Sequence, residues 1–145
     1  MSKLYQKYVA LKVQNSKFLY LFKSGIFYIF IDEDAKLMAP ILNLKLTNLN
    51  SMIVKCGFPS SQLAKYTSLI KCNNFNFKII DLSDNVVYLP HEYLLKPKIN
   101  TLLEKISSVN AYDLSISAAY DFIDDISKES KEILGEYKKN GRKQK

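Results

Sequence analysis

The sequence predicts an α/β fold: a mixed, largely antiparallel sheet flanked by helices, followed by a C-terminal helical hairpin. Three observations carry this. Short runs dense in Phe, Tyr, Leu and Ile lie on either side of turn residues, as in 17–23 and 26–31 around Ser24-Gly25. Stretches of helical period stand between such runs, with Leu63, Tyr66, Leu69 and Ile70 the clearest. The chain then closes on two long amphipathic stripes, Ile99, Leu102, Leu103 and Ile106, then Ala119, Phe122, Ile123 and Ile126.

In order, Leu4, Tyr8 and Leu11 recur at spacings of four and three and mark a first helix that Ser2 can cap. Runs 17–23 and 26–31 read as a β-hairpin. Asp32, Glu33 and Asp34 precede a helix expected over 35–42, where carboxylates suit the positive N-terminal end; capping is the expected role, not a metal site. Residues 44–47 and 52–56 read as two strands, and Gly57-Phe58-Pro59 as the turn that ends the second. A helix capped by Ser60 or Ser61 follows and stops at Asn73-Asn74. Phe75, Phe77 and Ile79 alternate with Asn76, Lys78 and Ile80, the pattern of a half-buried strand, and 86–89 adds an edge. Pro90 and Pro97 are expected to bracket a connector ahead of the hairpin. This divides the chain into residues 1–89, a helical hairpin over 90–137 and a basic disordered tail over 138–145.

At 145 residues the chain has the material of one compact domain with an appendage, and its 48% hydrophobic content supports folding without disulfide or metal staples. Cys56 and Cys72 have no companion cysteines or nearby histidine, so neither a zinc module nor a secreted disulfide framework is indicated, and a reducing cytoplasm is the expected compartment. The longest apolar stretch, 18–31, is broken by Lys23, Ser24 and Gly25 and falls short of the roughly 18 apolar residues of a membrane helix, so no membrane association is expected.

The net charge of +7 is unevenly placed. Residues 1–82 hold 11 lysines against Asp32, Glu33, Asp34 and Asp81, which accounts for all of it, whereas residues 83–137 carry five acidic groups in excess. Nearly all of the cations are lysines, with one arginine, a composition suited to sequence-independent phosphate contact and not to bidentate base reading. Catalytic machinery is not evident. The single histidine, His91, has no nucleophile near it in sequence, and Gly135 to Lys143 has neither the spacing nor the hydroxyl of a phosphate loop. No catalytic residue, metal ligand or cofactor is predicted.

The first 82 residues resemble the N-terminal mismatch-recognition domain of the MutS family of DNA repair proteins. The resemblance rests on Tyr8-x-x-Leu11-Lys12, Phe18 to Phe22, Gly25-Ile26-Phe27-Tyr28-Ile29-Phe30, Glu33-Asp34-Ala35-Lys36, Leu44-Lys45-Leu46-Thr47, Cys56-Gly57-Phe58-Pro59 and the helix from Leu63 to Lys71. It implies that Phe27 occupies the position of a phenylalanine that wedges beside a mispaired base. The glutamate that hydrogen-bonds the base in that family is replaced by Ile29, and the aspartate before the phenylalanine by Ile26. Isoleucine neither donates nor accepts, so the resemblance implies altered or lost mismatch specificity. Phe27 can equally be a core residue of a buried strand. Lys23 and Lys55, each just before a turn, are further candidates for phosphate contact, and each can equally be a solvated lysine.

At the other end, Asp113 to Ile126, preceded by Leu102-Leu103-Glu104-Lys105-Ile106, is similar to the helical hairpin that closes full-length MutS proteins. That similarity implies a homodimer through residues 99–134; a generic amphipathic hairpin fits the same pattern. Two functions are consistent with these readings. One is a non-enzymatic protein that binds double-stranded, including mismatched, DNA. The other is an interaction module that docks on a repair or mobile-element partner without binding DNA, its reading face made apolar by Ile26 and Ile29.

Overall fold

The computed structural model describes residues 2–143. Over this range the chain divides into two compact units, residues 2–90 and 91–143.

The first unit opens with α1 (Lys3–Gln14), whose first turn is capped as expected: Tyr5 N–H donates to Ser2 Oγ at 3.2 Å. Strands β1 (Leu19–Ser24) and β2 (Phe27–Ile31) form an antiparallel hairpin in which Ser24 pairs with Phe27 and Phe22 with Ile29. The turn is Gly25-Ile26, one residue later than the sequence suggests. Gly25 adopts φ 59°, the backbone a two-residue hairpin requires at its first central position, and it thereby fixes the register.

Helix α2 (Asp32–Leu42) follows directly. Asp32, Glu33 and Asp34 therefore lie inside its first turn and not ahead of it, and no side chain caps it. The helix dipole still favours them there. Strands β3 (Thr47–Asn48) and β4 (Val54–Pro59) come next, each displaced toward the C-terminus of its expected run, because β4 follows the pairing of β2 and runs through Gly57-Phe58-Pro59. A 3₁₀ turn, Ser60–Gln62, leads into α3 (Leu63–Cys72), and neither Ser60 nor Ser61 caps it. Strands β5 (Phe77–Asp81) and β6 (Val86–Tyr88) complete a six-stranded sheet of order β3-β4-β2-β1-β5-β6. All neighbours are antiparallel except β1 and β5. The predicted mixed, largely antiparallel sheet flanked by helices is thus the observed one.

Alternation sorts the sheet residues between two layers. On one face Tyr20, Phe22, Ile29, Ile31 and Ile80 pack with Tyr8 and Leu11 of α1 and with Ile53. On the other, Phe58 stacks on Tyr66 of α3 at 4.3 Å and the Cys56 thiol donates to the Ala35 carbonyl of α2 at 3.6 Å. Burial pushes that thiol up to about 11, which leaves it protonated and unreactive. Because both faces are covered, Ile79 and Ile80 are both fully buried, and β5 is not the half-buried strand its alternation suggests.

The second unit is a helical hairpin. Its first helix, α4 (Pro90–Ser107), takes in the stretch expected to be a connector. Pro90 stands at the first helical position, where no N–H is needed, and Pro97 is accommodated within the helix. Ser115 caps α5 (Ile116–Lys143), accepting from Ala118 N–H at 3.2 Å. This helix continues through Lys143, so residues 138–143, expected to belong to a disordered tail, are helical; residues 144 and 145 lie outside the described range. Lys105 pairs with Glu129 at 2.8 Å and Lys98 with Glu136 at 2.9 Å, which makes the two helices antiparallel. Since Lys105 is near the end of α4, the part of α5 before Glu129 runs on past that end by roughly 16 Å.

Candidate nucleic-acid interface

The period of two in β2 puts Phe27, Ile29 and Ile31 on the α1 side of the sheet. Ile29 and Ile31 are covered there, while Phe27, at the hairpin end, is 45% exposed. Ile26, in the turn itself, is 73% exposed. The tip of the hairpin is thus an apolar projection of two adjacent residues on a rigid scaffold, and Phe27 is not the fully buried core residue that the run 26–31 also permitted.

Beside Phe27 the uncovered part of this face forms a depression of about 240 Å3, lined by Ser24, Phe27, Ile29, Thr47, Lys55 and Gly57. Strand pairing assembles it. Ser24 lies opposite Phe27, Gly57 opposite Ile29, Lys55 opposite Ile31 and Thr47 opposite Lys55. Gly57 lets β4 lie close against β2, because a Cβ there would be 2.5 Å from the Tyr28 carbonyl oxygen and 2.7 Å from Ile29 Cγ2.

Three of the four residues singled out from sequence, Phe27, Ile29 and Lys55, therefore meet in one place. Lys23 does not join them. It pairs with Tyr28 across the hairpin, on the opposite face, and its ammonium is 3.8 Å from Asp81. Burial alone would raise the Asp81 carboxyl, but hydrogen bonds from Ser83 and the Lys23 charge outweigh it and hold it below its ordinary value. Ser24, Thr47 and Gly57 were not foreseen. Ser24 pairs with Phe27 because the turn falls one residue later than the sequence suggests, whereas Thr47 and Gly57 reach the site through β4 lying next to β2, which local pattern does not reveal.

The scaffold behind this face is anchored by Asp34. Its carboxylate accepts from Tyr20 N–H at 2.9 Å and lies 2.6 Å from Lys12 Nζ, which also donates to the Phe18 carbonyl at 2.8 Å. Burial pushes the Asp34 carboxyl up, and Lys12 and the Tyr20 N–H work against that shift. Asp34 thus ties α1, β1 and α2 together, a structural role. Among the described residues no group of three or more His, Cys, Asp or Glu is arranged to hold a metal ion, and no helix is long and apolar enough to cross a membrane. His91 lies in α4, buried, its ring 5.2 Å from that of Tyr137.

A search of the curated proteins gives no match to the chain. The family model of MutS domain I, the mismatch-recognition domain, matches residues 2–86. The match takes in the whole six-stranded sheet but for the last residues of β6, and ends before α4. Residues 2–86 are thereby a non-catalytic DNA-binding domain of the mismatch-recognition type. With the order of its motifs, its sheet and this match in agreement over more than half its length, the chain belongs to the MutS domain I family.

Proposed function

We propose that this protein is a non-enzymatic DNA-binding protein whose mismatch recognition is altered: it engages weakened duplex through an apolar wedge and not through a hydrogen bond to the base. The observation that carries this reading is the pairing of an exposed Phe27 with a buried, apolar Ile29 on one sheet face. A ring on a rigid hairpin can enter a destabilised base step and partly unstack it, while Ile29 offers the base neither donor nor acceptor. Lys55, beside the wedge, supplies phosphate contact, and the excess of lysine over acid in residues 1–82 supplies sequence-independent attraction.

The hairpin supports a second element of the proposal, a homodimer through residues 99–134. Leu103 and Ile106 of α4 are exposed, and so are Ile116, Tyr120 and Ile123 at spacings of four and three in the part of α5 that runs past α4. Such a stripe is what a second helix packs against.

Titration of matched and mismatched duplexes at several salt concentrations tests the DNA reading. Expected are a steep salt dependence and a preference for mismatches that varies little with which bases are mispaired. Failure to bind either duplex at about 50 mM salt overturns it in favour of a protein-docking module.

A further inference from the structure

The exposed stripe on α5 does not stop where α4 begins to cover that helix. Ile116, Tyr120 and Ile123 continue through Ser127, Ser130, Leu134 and Tyr137, so that steps of four and three alternate over the whole stretch. This is a heptad seam, with Tyr120, Ser127 and Leu134 at its a positions and Ile116, Ile123, Ser130 and Tyr137 at its d positions. Its five large residues are exposed and only the two serines are half-buried, so the seam is not the face that α4 occupies. One flank, the g positions, is apolar and holds the half-buried Ile126 and Ile133; Ile133 shares a hollow with Pro97 and Thr101 of α4, which puts α4 on that side. The other flank, the e positions, is charged and changes sign along the helix, with Asp124 first and then Lys131 and Lys138.

We propose that this seam packs antiparallel against α5 of a second copy, in the register that sets Ser127 opposite Ser130 of the second copy. The inference rests on the homodimer reading above and specifies its geometry. In an antiparallel pair the e flanks face each other, whereas in a parallel pair e meets g, and Asp124 and Lys131 would stand against the apolar Ile126 and Ile133. The register with Ser127 opposite Ser130 also places Ile123 on Leu134, Tyr120 on Tyr137 and Asp124 beside Lys131, each contact made twice by symmetry. A shift of one heptad in either direction brings Asp124 against Asp124 or Lys131 against Lys131, and like charges oppose it. Asp124 lies 2.9 Å from Lys128 within its own helix, an exposed pair that contributes little and leaves the carboxylate able to bridge. The extent of α4 selects the same register independently. Lys105 stands opposite Glu129, so the end of α4 at Ser107 is level with Ser127, beside the two-fold axis. Each α4 then covers one half of the pair, and the part of α5 that runs past its own α4 is covered by the second copy. A register in which Ser130 met Leu134 would carry both α4 ends past the axis and into each other.

The test is charge exchange in the full chain, read by sedimentation equilibrium, with folding checked by circular dichroism. Asp124→Lys and Lys131→Asp should each weaken self-association about tenfold, since symmetry turns two attractions into two repulsions. The double variant Asp124→Lys, Lys131→Asp should recover the affinity of the parent, and Lys128→Gln, which removes only the intrahelical pair, should leave it unchanged. Orientation is read separately by disulfide formation in a Cys72→Ser background: Ile123→Cys and Leu134→Cys are expected to link to each other when mixed, and neither to itself. A dimer indifferent to the single charge reversals, no rescue in the double variant, self-linking of either cysteine variant, or no link in the mixture overturns the proposed packing while leaving the homodimer intact. A monomer at every concentration overturns the homodimer reading itself.

Discussion

Lys12 Nζ sits 2.6 Å from Asp34 Oδ1, a contact that ties the first helix to the start of the second. The Asp34 side chain is almost fully buried and the Lys12 side chain mostly so. Replacing Lys12 by Met leaves a buried carboxylate without its countercharge, which costs about 3 kcal/mol at neutral pH. The sign follows from the raised Asp34 value. A carboxyl that binds its proton more tightly folded than unfolded favours the folded state fully below the ordinary aspartate range, and that contribution is lost as pH rises through the folded value. Loss of Lys12 raises the folded value further, so K12M should be hurt most at pH 7 and recover as the medium is acidified. Urea melts of both proteins across this range measure it.

Phe27 and Phe30 differ by three positions and by environment: Phe27 is half exposed and Phe30 fully buried. Phe27→Ala is therefore expected to leave stability within about 1 kcal/mol and to weaken DNA binding, since one base–aromatic contact is worth roughly 1 to 3 kcal/mol. Phe30→Ala should cost about 3 to 5 kcal/mol. Denaturant titration and gel-shift titration on the same preparations separate the two effects.

Lys55 and Lys23 make a second contrasting pair. Lys55→Gln should reduce the slope of log affinity against log salt by about one, as for loss of a single phosphate contact. Lys23→Gln, on the other face and beside Asp81, should leave that slope unchanged.

Gly57→Ala places a methyl group against backbone that cannot yield, the Tyr28 carbonyl oxygen at 2.5 Å. Overpacking of this kind costs about 1 to 3 kcal/mol. A drop in melting temperature, read by circular dichroism, checks it.

For the hairpin, the double substitution Tyr120→Asp and Ile123→Asp puts charge into the exposed stripe of α5 and should weaken self-association at least about tenfold. Light scattering across a concentration series reads the change directly.

Much of this was legible in the residues because the signals are local. Ser2 acts as the cap its position suggests, and the period of two in β2 puts Phe27 and Ile29 on one face before any tertiary fact is known. What was not legible depends on contacts distant in sequence. Gly57 and Thr47 join Phe27 only because β4 docks beside β2. Pro97 looks like a breaker, yet Tyr93, Leu95 and Leu102 on the same helix are buried, and such burial can offset the roughly 3 kcal/mol that an interior proline costs. Asp34 reads as one of three acids at a helix start; its burial depends on Lys12 and Tyr20, contributed by α1 and β1.

The parallel contact between β1 and β5 also governs how the first unit can be made. Strand β1 has β2 on one side within a few residues, but its other side waits for Phe77–Asp81, more than fifty residues later. During synthesis the hairpin and β4 can pair while Tyr20 to Lys23 still offer an open backbone edge, a template for pairing with another chain. Closure of that edge, and with it protection from aggregation, comes late in the unit's assembly. A chain released before Phe77 should accumulate as insoluble material, whereas one released after Tyr88 carries every strand of the sheet.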